Sequence, residues 1–131
     1  MKTVQQLTLD DLKRIAQAAE QKAQENQWKV SIAICDAGGH LLWLQRLDGA
    51  PVMSATIAPD KARASALSGK PTKALEDMVN GGRVAALAMP IKPLEGAEPI
   101  IVDGNVIGAV GVSGVAAADD ARIALAGVNA L

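Results

Sequence analysis

The pair Asp103-Gly104, set between two apolar runs, constrains the fold of this chain more than any other feature. The first run covers residues 100–102, and the second returns from Val106 to Val112. Asp-Gly is typical of a two-residue turn because it tolerates positive φ at both central positions. Residues 98–113 are therefore predicted to form a β-hairpin.

A second hairpin is predicted over residues 29–46. Apolar side chains alternate along residues 29–35, the stretch Asp36-Ala37-Gly38-Gly39 supplies turn residues, and residues 40–46 form the return strand. Both faces of this hairpin are largely apolar. This pattern favours a sheet covered by helices on both sides over a sheet with one wet face.

The remaining segments are predicted to be helices and one further strand. Pro59 would break a helix interior, so the second helix is expected to start near Ala58 after a short lead-in turn. No repeat or long linker divides the chain, which indicates one domain over residues 1–131. The predicted helices cover residues 8–26, 52–68, 73–80 and 117–130, and the short strand covers residues 85–89.

Composition limits the core and the partners. The chain is 50% hydrophobic, with two tryptophans and no Phe or Tyr, so small aliphatic side chains must build the core and bring helix and sheet close together. A net charge of −1 argues against nucleic acid as a partner. No apolar run reaches the roughly 18 residues of a membrane span, and the N-terminus lacks an apolar signal core. With Cys35 as a lone cysteine, we expect a cytoplasmic protein.

Several short motifs, in this order and spacing, resemble the GlcG/HbpS-like family of haem-binding or haem-degrading domains. The resemblance covers nearly the whole chain. The matching stretches begin with Leu7-Thr8-Leu9-Asp10-Asp11, continue through residues 30–41, 46–51, 61–63 and 69–72, and end with residues 99–104 and 106–114.

This resemblance implies an α/β (α+β) fold: a profilin-like three-layer α/β/α domain with a five-stranded antiparallel sheet. Family members tend to form dimers or larger homo-oligomers. Some resemble a secreted haem-sensing protein, some the C-terminal domain of a cobalamin adenosyltransferase, and others are encoded with glycolate or diol metabolism. One departure from the family is Ala116, which stands where a threonine would cap the last helix.

His40, the only histidine, is the candidate metal ligand. Because imidazole commonly ligates haem iron, His40 is expected to bind iron if haem is the cofactor; the alternative is a solvent-facing residue at the start of a strand. Cys35 is interpreted as a small core residue rather than a reactive thiol.

Arg46, Lys61, Asp36 and Ser113 are the candidate ligand-binding residues. Arginine and lysine suit the carboxylates of haem or of a small hydroxy acid. Structural alternatives stay open: Asp36 would cap its own turn, and Lys61 and Arg63 would be surface charges on a helix.

Three glycines follow one another at a spacing of three, Gly108, Gly111 and Gly114. They match neither dinucleotide-binding nor P-loop patterns, so close backbone approach is the favoured interpretation of Gly108 and Gly111.

No catalytic constellation is visible, so the sequence does not decide whether the protein is an enzyme. The first hypothesis is a homo-oligomeric cytoplasmic protein that binds haem or a related tetrapyrrole. The second is an enzyme or auxiliary subunit in small hydroxy-acid or diol metabolism, and the third is a scaffold that binds no ligand.

Overall fold

The computed structural model describes all 131 residues and contains four α-helices and four strands. The helices and strands, in chain order, are α1 (Leu9–Glu25), β1 (Ser31–Asp36), β2 (Leu41–Arg46), α2 (Ser54–Ser68), α3 (Thr72–Asn80), a 3₁₀ helix (Val84–Ala88), β3 (Ala97–Val102), β4 (Asn105–Ser113) and α4 (Ala117–Val128).

The sheet has four antiparallel strands in the order β2-β1-β4-β3. Both predicted hairpins are present, and Asp103 and Gly104 adopt the positive φ angles, 51° and 77°, that their turn requires. The expectation of five strands is wrong, because residues Val84–Ala88 form a 3₁₀ helix instead of a strand. This segment contains three alanines, which have low β-propensity.

Helices cover the two faces of the sheet with different cores. On one face, α1 and α4 bury a cluster of isoleucine, leucine and valine side chains that includes Ile15, Ile32 and Ile123. On the other face, α2 buries a small cluster of alanines with Cys35. The predicted small-residue core is thus confirmed, and it is concentrated under α2.

Glycines in β4 permit the close approach of α2. A Cβ on Gly111 would lie 2.3 Å from the carbonyl oxygen of Ala58 and 2.4 Å from the nitrogen of Ala62. A Cβ on Gly108 would lie 2.3 Å from the carbonyl oxygen of Cys35. The interpretation of both glycines as close-approach positions is confirmed.

Helix α2 begins earlier than predicted. It starts at Ser54 and runs through Pro59 without interruption, whereas the sequence predicted a start near Ala58. The backbone N–H groups of Thr56 and Ile57 both donate to the carbonyl of Met53, so the first turn is already closed before the proline. Pro59 therefore follows a first helical turn that is already closed by backbone hydrogen bonds.

Strand β2 differs from the expected doubly covered strand. Leu41, Leu42 and Leu44 are 50%, 40% and 43% exposed, whereas the neighbouring β1 is almost entirely buried. The reason is position: β1 and β4 are the central strands under the helices, and β2 is an edge. An apolar edge strand is therefore left open to solvent.

Candidate functional site

The turn between β1 and β2 is held together by one carboxylate. Asp36 Oδ1 accepts hydrogen bonds from the backbone N–H groups of Gly38 and His40, each at 2.9 Å. Burial acts to raise the pKa of Asp36, but the backbone N–H groups of His40 and Gly38 outweigh it, so the pKa lies below its usual range. The interpretation of Asp36 as a cap of its own turn is confirmed.

The same carboxylate orients the imidazole of His40. His40 Nδ1 lies 3.2 Å from Asp36 Oδ1, and the His40 side chain is 81% exposed. An ionised carboxylate only accepts hydrogen bonds, so Nδ1 must carry a proton. In the neutral ring this leaves the lone pair on Nε2 free, and a carboxylate behind the ring is the common support of a metal-binding histidine.

A cavity of about 310 Å³ lies beside this turn, on the outer side of α2. It contains two cationic side chains. Arg63 packs against the turn, since a Cβ on Gly39 would lie 2.8 Å from Arg63 Cγ. The cavity is lined by Asp60, Arg63, Met89, Pro90, Ile91 and Lys92.

Both cations of this cavity are anchored by one contact each. Arg63 Nη1 donates to the carbonyl oxygen of Pro90 at 2.5 Å, and Lys92 Nζ lies 3.2 Å from Asp60 Oδ2. The Lys92 side chain is 62% exposed, so its pairing is loose. The cavity therefore offers a guanidinium and an ammonium within reach of a carboxylate-bearing ligand.

Lys61 lies in a different place and is not a surface charge. Its side chain is 6% exposed, and Nζ donates to the carbonyl oxygen of Val112 at 3.0 Å and to Asp120 Oδ2 at 3.1 Å. It passes over Gly96, where a Cβ would lie 2.6 Å from Nζ. The absence of a side chain at Gly96 leaves a slot between α2 and the sheet that the Lys61 side chain fills. The alternative that Lys61 is a helix-surface charge is wrong, because its ammonium lies in this slot and donates to Val112 and Asp120.

Asp120 is the partner that compensates the buried ammonium. Burial holds the pKa of the Asp120 carboxyl above its usual range, although the Lys61 ammonium and the backbone N–H of Val115 lower it in part. Asp120 Oδ1 accepts from the Val115 N–H at 3.1 Å, and Ala116 gives helix α4 no side-chain cap. The carboxylate therefore supports the start of α4 and joins it to α2.

The predicted site residues divide between the two ends of the sheet. His40 and Asp36 lie at the β1–β2 turn, whereas Arg46 and Ser113 both align with Ser31 at the other end of β1. A six-residue strand places these ends roughly 17 Å apart. Arg46 is exposed and donates to the carbonyl oxygen of Ala50 at 3.0 Å, while Ser113 is 8% exposed.

Two further features bear on chemistry. Burial raises the pKa of the Cys35 thiol to about 12, so this side chain is an inert core residue, as the sequence predicted. No three His, Cys, Asp or Glu side chains come close enough together to hold a metal ion among themselves. A metal bound through His40 would therefore have to arrive with most of its ligands, as haem iron does.

Sequence reasoning missed Lys92 as a site residue and treated Arg63 only as a surface charge. These residues belong to segments almost thirty positions apart, and only the packing of residues 89–92 against α2 brings them together. No motif in the sequence marks that contact.

Comparison with known proteins gives one consistent family. The family described as haem degrading protein HbpS-like matches residues 7–129. Protein GlcG of Escherichia coli K12 is 47% identical over 114 residues, covering 86% of this chain and 85% of GlcG.

Two solved structures have the same fold. A double mutant of HbpS from Streptomyces reticuli superposes with a TM-score of 0.91 and 27% identity, covering all of this chain and 90% of that one. A PduOC:heme complex superposes with a TM-score of 0.87 and 30% identity, covering 97% and 96% of the two chains.

Proposed function

The chain belongs to the HbpS-like family, and from this premise we propose that it binds haem or a related tetrapyrrole at the β1–β2 turn. The observation that carries the proposal is the exposed imidazole of His40, oriented by Asp36 and set beside a cationic cavity. The solved haem complex of PduOC, which has this fold, supports the choice of ligand.

His40 is the proposed ligand of the iron. Its Nδ1 proton is directed to Asp36, which leaves Nε2 to face solvent and to bind a metal. Gly38 is part of this arrangement, because a Cβ at that position would lie 2.9 Å from His40 Cε1. The iron of a bound haem would supply the redox and ligand-binding chemistry, and this chain's contribution is to hold and orient the group.

Arg63 and Lys92 are the proposed partners of the haem carboxylates, in place of the predicted Arg46 and Lys61. Lys61 is committed to Val112 and Asp120 inside the chain. Arg46 lies at the far end of β2 from His40. Arginine is suited to bidentate carboxylate binding, and the exposed lysine adds a second positive charge.

A hemin titration followed by the Soret band tests this assignment. The tag-free protein is expected to give a saturable band, and His40→Ala is expected to change its position because the iron loses its ligand. Arg63→Ala is expected to weaken binding about tenfold, the effect of losing one charge-assisted hydrogen bond, while the band stays in place. Arg46→Ala is the matched control and should bind hemin like the wild type.

Either of two results would contradict the assignment. A non-saturating titration would remove haem as the ligand and leave the scaffold hypothesis. Equal losses of affinity in the Arg63 and Arg46 variants would show that the carboxylates do not lie at the proposed cavity.

A small carboxylate, such as a hydroxy acid, is the second candidate ligand, because the same two cations line a cavity of about 310 Å³. A ligand of this class is what the hypothesis of an enzyme or auxiliary subunit in hydroxy-acid or diol metabolism requires. Thermal unfolding with millimolar glycolate is the discriminating experiment: a stabilisation lost in Arg63→Ala, without a Soret band, would favour it. If neither glycolate nor hemin stabilises the protein, the hypothesis of a scaffold that binds no ligand would remain.

We also propose that the protein forms a homo-oligomer through β2. This edge strand carries exposed leucines and a free row of backbone hydrogen-bonding groups, which suit pairing with the same strand of a second copy. Light scattering should give a mass above one chain for the wild type and of one chain for the double variant Leu42→Lys/Leu44→Lys. An unchanged mass in that variant would exclude β2 as the interface.

The cytoplasm is the proposed location. Cys35 has no partner for a disulfide, which suits a reducing compartment. No helix in the structure has the length and apolar character needed to cross a membrane.

A further inference from the structure

A second, larger cavity of about 610 Å³ lies where the end of α1 meets the segment that follows β2. It is separate from the β1–β2 turn, since β2 runs between them over roughly 17 Å. The Lys29 side chain passes close to Gly49, where a Cβ would lie 2.7 Å from Lys29 Cδ. The cavity is lined by Glu20, Gln24, Gln27, Trp28, Lys29, Leu47 and Asp48.

The polar groups of this cavity have no partners within the chain. Gln24, Gln27 and Asp48 are exposed, and they and Glu20 make no side-chain hydrogen bond or ion pair within the chain, so water solvates their polar atoms. The indole N–H of Trp28 likewise has no acceptor within the chain. The other tryptophan differs, because Trp43 Nε1 donates to Gln45 Oε1 at 3.2 Å. The cavity thus presents several free donors and acceptors to whatever enters it.

Gln27 has the left-handed backbone conformation that glycine usually adopts at the end of a helix. Its φ is 58°, and the bonds from Trp28 N to Ala23 O at 2.8 Å and from Gln27 N to Gln24 O at 3.1 Å form the C-terminal motif that usually carries glycine there. A side chain in this left-handed conformation is strained. Its amide lines the cavity, which gives a reason for a glutamine at a glycine position.

The chemistry of the lining selects a ligand class. Amide groups both donate and accept, carboxylates accept, and an ammonium donates, which together match hydroxyl groups that do both. Trp28 and Leu47 add an apolar wall against which a carbon skeleton packs. Two carboxylates against one ammonium disfavour an anion such as haem or a hydroxy acid.

We propose that this cavity binds a neutral polyhydroxylated small molecule, a sugar or sugar alcohol, and that Gln27 is a specificity-determining residue of the site. The site would be additional to the one at His40 and would not depend on it. The strain at Gln27 would then be retained because its amide is used in binding.

Nitrogen-15 NMR of the full chain tests the proposal, because two tryptophans give two indole N–H signals and Trp28→Phe identifies the one from Trp28. The probes are glucose and sorbitol at millimolar concentration, with choline chloride and sodium citrate as charged controls. A saturable shift of the Trp28 signal with glucose or sorbitol, with Trp43 unmoved, is the expected result. Shifts produced equally by choline or citrate, or by no probe, would overturn the proposal.

Gln27→Gly separates a binding role from a structural one. Relief of the strained backbone should raise the melting temperature, so failure to fold is not a concern. The affinity for the sugar or sugar alcohol should fall about fivefold, the loss of one hydrogen bond. A variant that is more stable and binds the probe as tightly as the wild type would overturn the role given to Gln27.

Discussion

Removing the charge of Lys61 should destabilise the fold strongly, because it leaves Asp120 buried without its counter-charge. The Asp120 side chain is 2% exposed, and Lys61 is its only cationic partner. In Lys61→Met we expect the Asp120 carboxyl to be protonated in the folded state, because this avoids burying an unpaired negative charge. At pH 7 that protonation costs about 4 kcal/mol, since each of the roughly three pH units above its usual pKa contributes about 1.36 kcal/mol. Measured losses on breaking buried pairs are similar, about 3–5 kcal/mol.

The stability lost in Lys61→Met should increase as the pH rises from about 4 to 7. Burial already raises the pKa of Asp120 above its usual value beside Lys61, and without the ammonium the pKa should lie higher still, so the folded state binds more protons than the unfolded state. The free energy of unfolding must then fall as the pH rises through and above the unfolded pKa of about 4. Urea unfolding of Lys61→Met and the wild type should therefore show a small difference near pH 4 and the full difference near pH 7.

Two controls make this reasoning refutable. Adding Asp120→Asn to Lys61→Met removes the charge and keeps an oxygen for the Val115 N–H, so the double variant should be more stable at neutral pH than Lys61→Met alone. Lys73→Met breaks the exposed pair with Asp77 and should leave stability nearly unchanged. A pH-independent loss in Lys61→Met, or a loss no larger than that of Lys73→Met, would refute the account.

Three smaller predictions concern packing, capping and reactivity. Gly111→Ala should cost about 1–3 kcal/mol in urea unfolding because its Cβ would collide with the backbone of α2, and a neutral effect would contradict that contact. Thr8→Ala should cost about 1 kcal/mol by removing the capping box with Asp11; unchanged helix content and stability would show that the box contributes nothing. Cys35, with its pKa raised to about 12, should react with a thiol reagent at mildly alkaline pH only after unfolding, and rapid labelling of the native protein would be inconsistent with its burial.

Features encoded by neighbouring residues were predicted well from the sequence. The Asp103-Gly104 turn and the Asp36 cap depend only on residues within a few positions of each other, so the local sequence is enough to predict them. Residues 85–89 were predicted as a strand because they are apolar and lie between Gly and Pro residues, but a short apolar run does not by itself distinguish a strand from a helical segment, and Val84–Ala88 form a 3₁₀ helix.

Features that depend on distant segments were not predictable in the same way. The burial of Lys61 requires the slot over Gly96 and the carboxylate of Asp120, which lie far along the chain. The cationic cavity likewise requires Lys92 to pack near Arg63. The family resemblance predicted the sheet and its helices, but the positions of these charges had to be taken from the structure.

The most direct test of haem binding through His40 is the iron–ligand vibration of the reduced hemin complex. His40 is the only histidine, so ¹⁵N-histidine in a tag-free protein labels that imidazole alone. We expect an iron–imidazole band in the resonance Raman spectrum that shifts on labelling and disappears in His40→Ala. A complex with no isotope-sensitive band, or one with the same spectrum in His40→Ala, would contradict it.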